Sequence, residues 1–203
     1  MPFVPTIMTS LDVAKAVSKK MAGAKLLPEI SAISSAVCAY LATVPITNTV
    51  NIVTGPGSGT YTGRIYGLLP SIMTTLMMQR AFFKKFSGRD MMKFFDAVSF
   101  GVCQTLQTTV FAQGVVIGGG PGTGQGKITN LRYMDLKRLI ILNLAGKKLF
   151  GSKTDDIMSV IAYGICMHIM LSGMVQTVCI GAFAPPPVGP VPIPAAPGPG
   201  RLI

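Results

Sequence analysis

The sequence predicts a mainly α-helical protein built as three tandem helical-hairpin repeats of about 64 residues, joined by Gly/Pro-rich loops with short extended segments. Three observations carry that prediction. Val4 to Lys20 reads VPTIMTSLDVAKAVSKK and Leu69 to Lys85 reads LPSIMTTLMMQRAFFKK, with 8 of 17 positions identical. A fixed spacing then recurs. Each Lys-Lys pair (Lys19-Lys20, Lys84-Lys85, Lys147-Lys148) is followed three residues later by a glycine (Gly23, Gly88, Gly151) and eighteen residues later by a cysteine (Cys38, Cys103, Cys166). Finally, a Gly/Pro segment closes each copy, with Pro56 and Pro121 eighteen residues past their cysteines and Pro185 nineteen past its own. Periods of this length mark architectures assembled from one supersecondary unit. The boundaries they set are 1–67, 68–130 and 131–203.

The elements follow in order. The first segment of each unit has apolar residues at helical spacing, such as Ile72, Leu76, Met77 and Phe83, and Pro5 and Pro70 suit a first helical turn. The Lys-Lys pair falls at the C-terminal end, where cations complement the helix dipole, and the glycine beyond it suits a helix stop or the turn after it. A second helix is predicted over roughly Pro28 to Thr43, Met92 to Phe111 and Asp155 to Val178; it is apolar nearly all round and so must be buried. The loops TGPGSGTYTGRI and GGPGTGQGKI punctuate the chain, and short extended pieces such as Arg64-Ile65-Tyr66 lead into the next unit. The third copy ends differently, in a Pro-rich C-terminal arm over 185–203 that is too rich in proline for helix and is expected to lie extended across a neighbour.

Composition bounds the function. The chain of 203 residues is 49% hydrophobic and only 12% charged, against about 25% charged in ordinary soluble domains. The apolar excess must face other subunits or lipid. Cys38, Cys103, Cys166 and Cys179 have no C-x-x-C spacing and His168 is the lone histidine, so no zinc site is expected. The cysteines read as reduced, buried thiols of a protein assembled in a cytoplasm, and the N-terminus lacks the pattern of a secretory signal.

Each chemical motif has a simpler reading. The glycines before Arg64 and Lys127 invite comparison with a phosphate-binding loop, but Pro121 and Ile128 stand where that motif needs glycine and a hydroxyl. His168, among Met167, Ile169 and Met170, has no carboxylate nearby and reads as a core histidine rather than a general base. The seven acidic residues show no pairing suited to acid–base work. Neither an enzyme nor a cofactor is expected.

A net charge of +11 admits nucleic acid as a subordinate partner. Residues 30–63, 97–126 and 157–184 carry no Asp, Glu, Lys or Arg, which makes an integral membrane protein, forming an oligomeric assembly or pore, the alternative. Alternating topology would place equivalent Lys-Lys pairs on opposite sides of that membrane, against the positive-inside rule.

The segments TGPGSGTYTGRI and GGPGTGQGKITNL resemble Gly/Pro-rich loops of structural virion proteins of tailed bacteriophages. The resemblance covers about a dozen residues in each of two units. It implies a component of the tail, baseplate or head, assembled in the host cytoplasm, whose partners are copies of itself and other particle proteins. The residues expected to contact neighbouring subunits are Gly55, Pro56, Gly57 and Arg64 in the first unit, Gly120, Pro121, Gly122 and Lys127 in the second, and Pro185, Pro186, Pro187 and Arg201 in the third.

Overall fold

The computed structural model describes residues 4–21, 26–43, 45–54, 58–65, 67–85, 88–109, 111–117, 122–129, 131–179 and 198–202. Among these residues the chain is mainly helical. Helices α1 (Pro5–Ser18) and α2 (Leu26–Leu41) precede strands β1 (Pro45–Thr54) and β2 (Ser58–Ile65). The same order returns in α3 (Pro70–Phe83), α4 (Met91–Thr109), β3 (Phe111–Ile117) and β4 (Gly122–Thr129). It returns again in α5 (Tyr133–Gly146), α6 (Thr154–Ser172), β5 (Met174–Cys179) and β6 (Gly198–Leu202).

Both layers close on themselves. Each helix packs against its neighbours in sequence, and α6 returns to pack against α1. The strands form a closed antiparallel barrel in the order β1-β2-β3-β4-β5-β6, sealed by β6 on β1. The first helix of each pair leaves the barrel and the second leads back to it. All three helix–helix turns therefore stand at the end remote from the barrel, about 21 Å away for a 14-residue helix.

The core lies inside the helical ring. Met8, Met73 and Leu136 are fully buried at corresponding positions of α1, α3 and α5, as are Val37, Val102 and Ile165 of α2, α4 and α6. Sixfold closure brings helices close together at small residues. A Cβ on Gly101 of α4 would stand 2.5 Å from Ile140 Cγ1 of α5, and one on Gly164 of α6 would collide with the Asp12 carboxyl of α1. Glycine at these two positions permits the approach that the ring needs.

Several expectations change at the barrel. The Gly/Pro-rich segments predicted as loops with short extended pieces are in large part strands: Arg64 and Ile65 end an eight-residue strand, and the second helix predicted to Val178 stops at Ser172 because β5 begins at Met174. The arm expected over 185–203 lies outside the described residues up to 197, while Gly198–Leu202 forms β6, paired with both β1 and β5 of its own barrel. Glycines misled the sequence reading. Gly122, Gly124 and Gly126 recur every second residue of β4, in phase with the buried Ile128, and in β2 Gly59 and Gly63 stand four residues apart, in phase with the buried Ile65. An eight-stranded barrel is just wide enough for its side chains, so in six strands an inner face of glycine relieves crowding that would otherwise prevent closure.

Candidate interaction surfaces

The barrel receives four of the residues expected at subunit contacts. Arg64 pairs in register with Thr47 and Phe111, Lys127 with Gln113 and Met174, and Arg201 with Pro45 and Gln176. The three cationic residues occupy one equivalent register position per hairpin. Gly122 opens β4 and pairs with Cys179. Gly55, Pro56, Gly57, Gly120, Pro121, Pro185, Pro186 and Pro187 lie outside the described residues. The structure thus brings Arg64, Lys127 and Arg201 to one level of the barrel.

The opposite end is built by three similar turns. The helices α1, α3 and α5 end at Lys19, Lys84 and Lys147, and the next lysine in each turn is left-handed: Lys20 and Lys85 at φ 54° and Lys148 at φ 57°. In the first turn Lys20 N–H donates to Val17 O at 2.9 Å and Met21 N–H to Ala16 O at 3.0 Å; in the third, Leu149 N–H donates to Leu144 O at 2.9 Å. Such paired bonds satisfy carbonyls that a helix end leaves bare, and glycine usually supplies the left-handed residue. The helix stop is therefore the second lysine itself rather than the glycine three residues on. Gly88 and Gly151 serve the next helix, their carbonyls accepting from Met91 N–H and Thr154 N–H.

Ion pairs at this end tie adjacent helices. Lys19 Nζ lies 2.8 Å from Asp156 Oδ1, linking α1 to α6, and Lys147 Nζ lies 2.5 Å from Asp96 Oδ2, linking α5 to α4. Lys93 holds Asp90 and Lys137 holds Asp155. The lysine of the first pair draws the Asp156 carboxyl below its usual range. The five most exposed large apolar side chains among the described residues also stand here: Phe83, Val17, Phe150, Met92 and Phe82. Phe83, expected on the apolar stripe of its helix together with Ile72, is instead exposed, as Ile72 is; each of the five adjoins a Lys-Lys turn or opens the following helix. A cavity of about 380 Å³ opens at the same end, lined chiefly by Met91, Phe94, Leu144, Leu149, Ile157 and Met158.

Inside the ring, Asp12 is 2% exposed, and burial pushes its carboxyl well above the usual carboxylate range, against a smaller lowering by the Ser34 hydroxyl. Ser34 Oγ donates to Asp12 Oδ2 at 3.1 Å, while Oδ1 has no hydrogen-bond partner. The corresponding positions in α3 and α5 hold Met77 and Ile140, both fully buried. Tyr40, Thr105 and His168 form another corresponding set, all buried. Leu69 N–H donates to Tyr40 Oη at 2.5 Å, His168 Nδ1 lies 3.4 Å from Ser172 Oγ, and burial, which disfavours the imidazolium, pulls His168 below the ordinary histidine value. The thiols of Cys38, Cys103 and Cys166 are free and buried, and desolvation pushes each up to about 12. Among the described residues no group of three or more His, Cys, Asp or Glu side chains is placed to hold a metal ion.

The chain matches no family model, no curated protein and no solved structure. Its surfaces must be read from their own geometry.

Proposed function

We propose that this chain is a non-enzymatic structural assembly protein made of three tandem helical-hairpin repeats, 1–67, 68–130 and 131–203, working as a homo-oligomeric part of a tailed-phage particle in its tail, baseplate or head. The supporting observation is the double closure of one helix-helix-strand-strand order into a helical ring and a barrel. A chain so built offers three similar copies of each surface and fits a neighbour arranged about a three-fold or six-fold axis. Exposed apolar side chains on the outer helices, such as Ile72 of α3 and Leu142 of α5, supply area for packing against further copies. Particle proteins are the other partners under this reading, and nucleic acid remains subordinate. The test is the mass of the soluble protein by light scattering, followed by imaging. A complex of several chains with cyclic symmetry is expected, and a monomer at all concentrations overturns homo-oligomeric assembly.

One observation favours an integral membrane protein instead. The helix α6 is long and apolar enough to span a bilayer. More than half of its apolar window is already buried within the fold, so exposing it to lipid would dismantle the ring. Recovery only in a carbonate-resistant membrane fraction would decide for insertion.

A further inference from the structure

We infer that the helical end remote from the barrel is a docking surface for an anionic lipid bilayer, with the lysine turns meeting phosphate headgroups and the neighbouring apolar side chains entering the interfacial layer. The inference is independent of the particle reading above.

It begins with a local cost. A left-handed backbone is unfavourable for any residue with a Cβ, by roughly 1–2 kcal/mol, yet Lys20, Lys85 and Lys148 all adopt it where glycine would relieve the strain. Side chains kept at strained positions commonly mark function. All three are exposed, and among the described residues none has an ion pair. Their neighbours Lys19 and Lys147 spend their charge on Asp156 and Asp96. With Asp90 and Asp155 held by Lys93 and Lys137, the four aspartates of this end are matched. Glu29, in the first turn of α2, is the further carboxylate of this end among the described residues, against six more exposed cations, Lys20, Lys84, Lys85, Arg89, Lys148 and Lys153.

The second observation is what surrounds them. Phe83, 83% exposed, and Phe82 precede Lys84 directly, Phe150 follows Lys148 by two residues, Val17 precedes Lys19 by two, and Met92 opens α4. Water gains nothing from apolar side chains held this open, whereas cations interleaved with Phe and aliphatic residues suit the boundary between headgroups and acyl chains. Three similar turns at equal distance from the barrel define a plane, so one flat surface reaches all of them at once. A second copy docking face to face would bring the same cations together, and nucleic acid would leave Val17 and Met92 without a role.

The test is flotation of the full-length protein with vesicles of phosphatidylserine and phosphatidylcholine against pure phosphatidylcholine. Recovery with the anionic vesicles at about 0.1 M salt and release near 1 M is expected, because the Debye length shrinks from about 10 to 3 Å. Replacing Lys20, Lys85 and Lys148 by glycine should weaken vesicle binding on the order of a hundredfold, at about fivefold per lysine. Because glycine relieves the left-handed strain, that variant should melt no lower than the original, which separates lost binding from lost folding. Changing Phe83 and Phe150 to serine should weaken binding further. Failure to float with anionic vesicles overturns the proposal. So does equal binding of the glycine variant, equal recovery on neutral vesicles, or a preference for duplex DNA over vesicles with the same salt dependence.

Discussion

Replacing Asp12 by asparagine tests the seam where the ring closes. The carboxyl stands between Ser34 of α2 and Gly164 of α6, 2% exposed, with Oδ1 unpartnered and the Cys38 thiol as the nearest titratable group on α2. The charged residues of α6, Asp155 and Asp156, lie eight or more residues from Gly164 and are held by Lys137 and Lys19. Because burial raises the folded-state value, the folded protein binds this proton more tightly than the unfolded chain does. The stability from Asp12 is thus fully present below the usual carboxylate value near 4 and drains away as pH rises through the folded-state value. Asparagine mimics the protonated acid and cannot ionise, so its advantage should grow from near zero around pH 4 to about 1–3 kcal/mol at pH 8, the range for a buried polar group left unmatched. At about 2–4 °C per kcal/mol for a chain of this size, the melting temperature should rise by several degrees at pH 8. His168 acts in the opposite sense: its lowered value removes stability as pH falls below the ordinary histidine value near 6.5, equally in both proteins. Denaturant melts of both proteins between pH 4 and 8 measure the gap. A gap independent of pH, or an asparagine variant less stable at pH 8, would refute the assignment of Asp12 as a buried acid.

Other outcomes follow from the same packing. Gly101→Ala should destabilise by about 1–3 kcal/mol, since the added methyl meets Ile140 across the α4–α5 contact, and a denaturation midpoint checks it. Native protein treated with iodoacetamide at pH 8 should leave Cys38, Cys103 and Cys166 unmodified, because thiols pushed up to about 12 and buried carry almost no thiolate; peptide mass mapping showing any of them alkylated would contradict this. Truncation before Gly198 removes β6 and leaves β1 and β5 with open edges, so the shortened chain should aggregate more readily and melt lower than the full chain, seen by light scattering during a thermal ramp.

The helices were legible because their signals are local. Pro5 and Pro70 start α1 and α3 and the Lys-Lys pairs end the first helices, while of the apolar positions read in α3 Met77 faces the core and Ile72 and Phe83 are exposed. The barrel was not legible, although Thr47, Val50, Ile52 and Val53 of β1 are β-branched as strand residues tend to be. Glycine and proline ordinarily mark turns, and only the closed register shows that alternate glycines of β4 form one face of a strand. Arg64 and Lys127 were found through their place after a glycine, while the exposure of the apolar side chains at the remote end was not legible. Phe82 and Phe83 look like core residues by type, and the second-unit helix shows them exposed only because Met73, Met77 and Ala81 already fill the inward face.

Closure also explains why corresponding positions differ in chemistry. The contacts α2–α3 and α4–α5 join helices close in sequence, whereas α6–α1 and β5–β6–β1 join the two ends of the chain. That last seam forms against the largest loop-closure entropy. It carries the Lys19–Asp156 ion pair, and there the Asp12 carboxyl, which accepts from Ser34 of α2, packs against Gly164 of α6, while the Met77 and Ile140 positions are apolar. The buried Asp12–Ser34 pair favours one register of α1 on α2, because any slip there leaves the carboxyl without its hydroxyl. In a ring of three similar units, apolar seams alone would tolerate α1 meeting α4 in place of α6. The α4–α5 contact has its own ion pair, Lys147 with Asp96, so the buried Asp12 carboxyl against Gly164, where Met77 and Ile140 stand in the other units, is what distinguishes the joint between first and last helix.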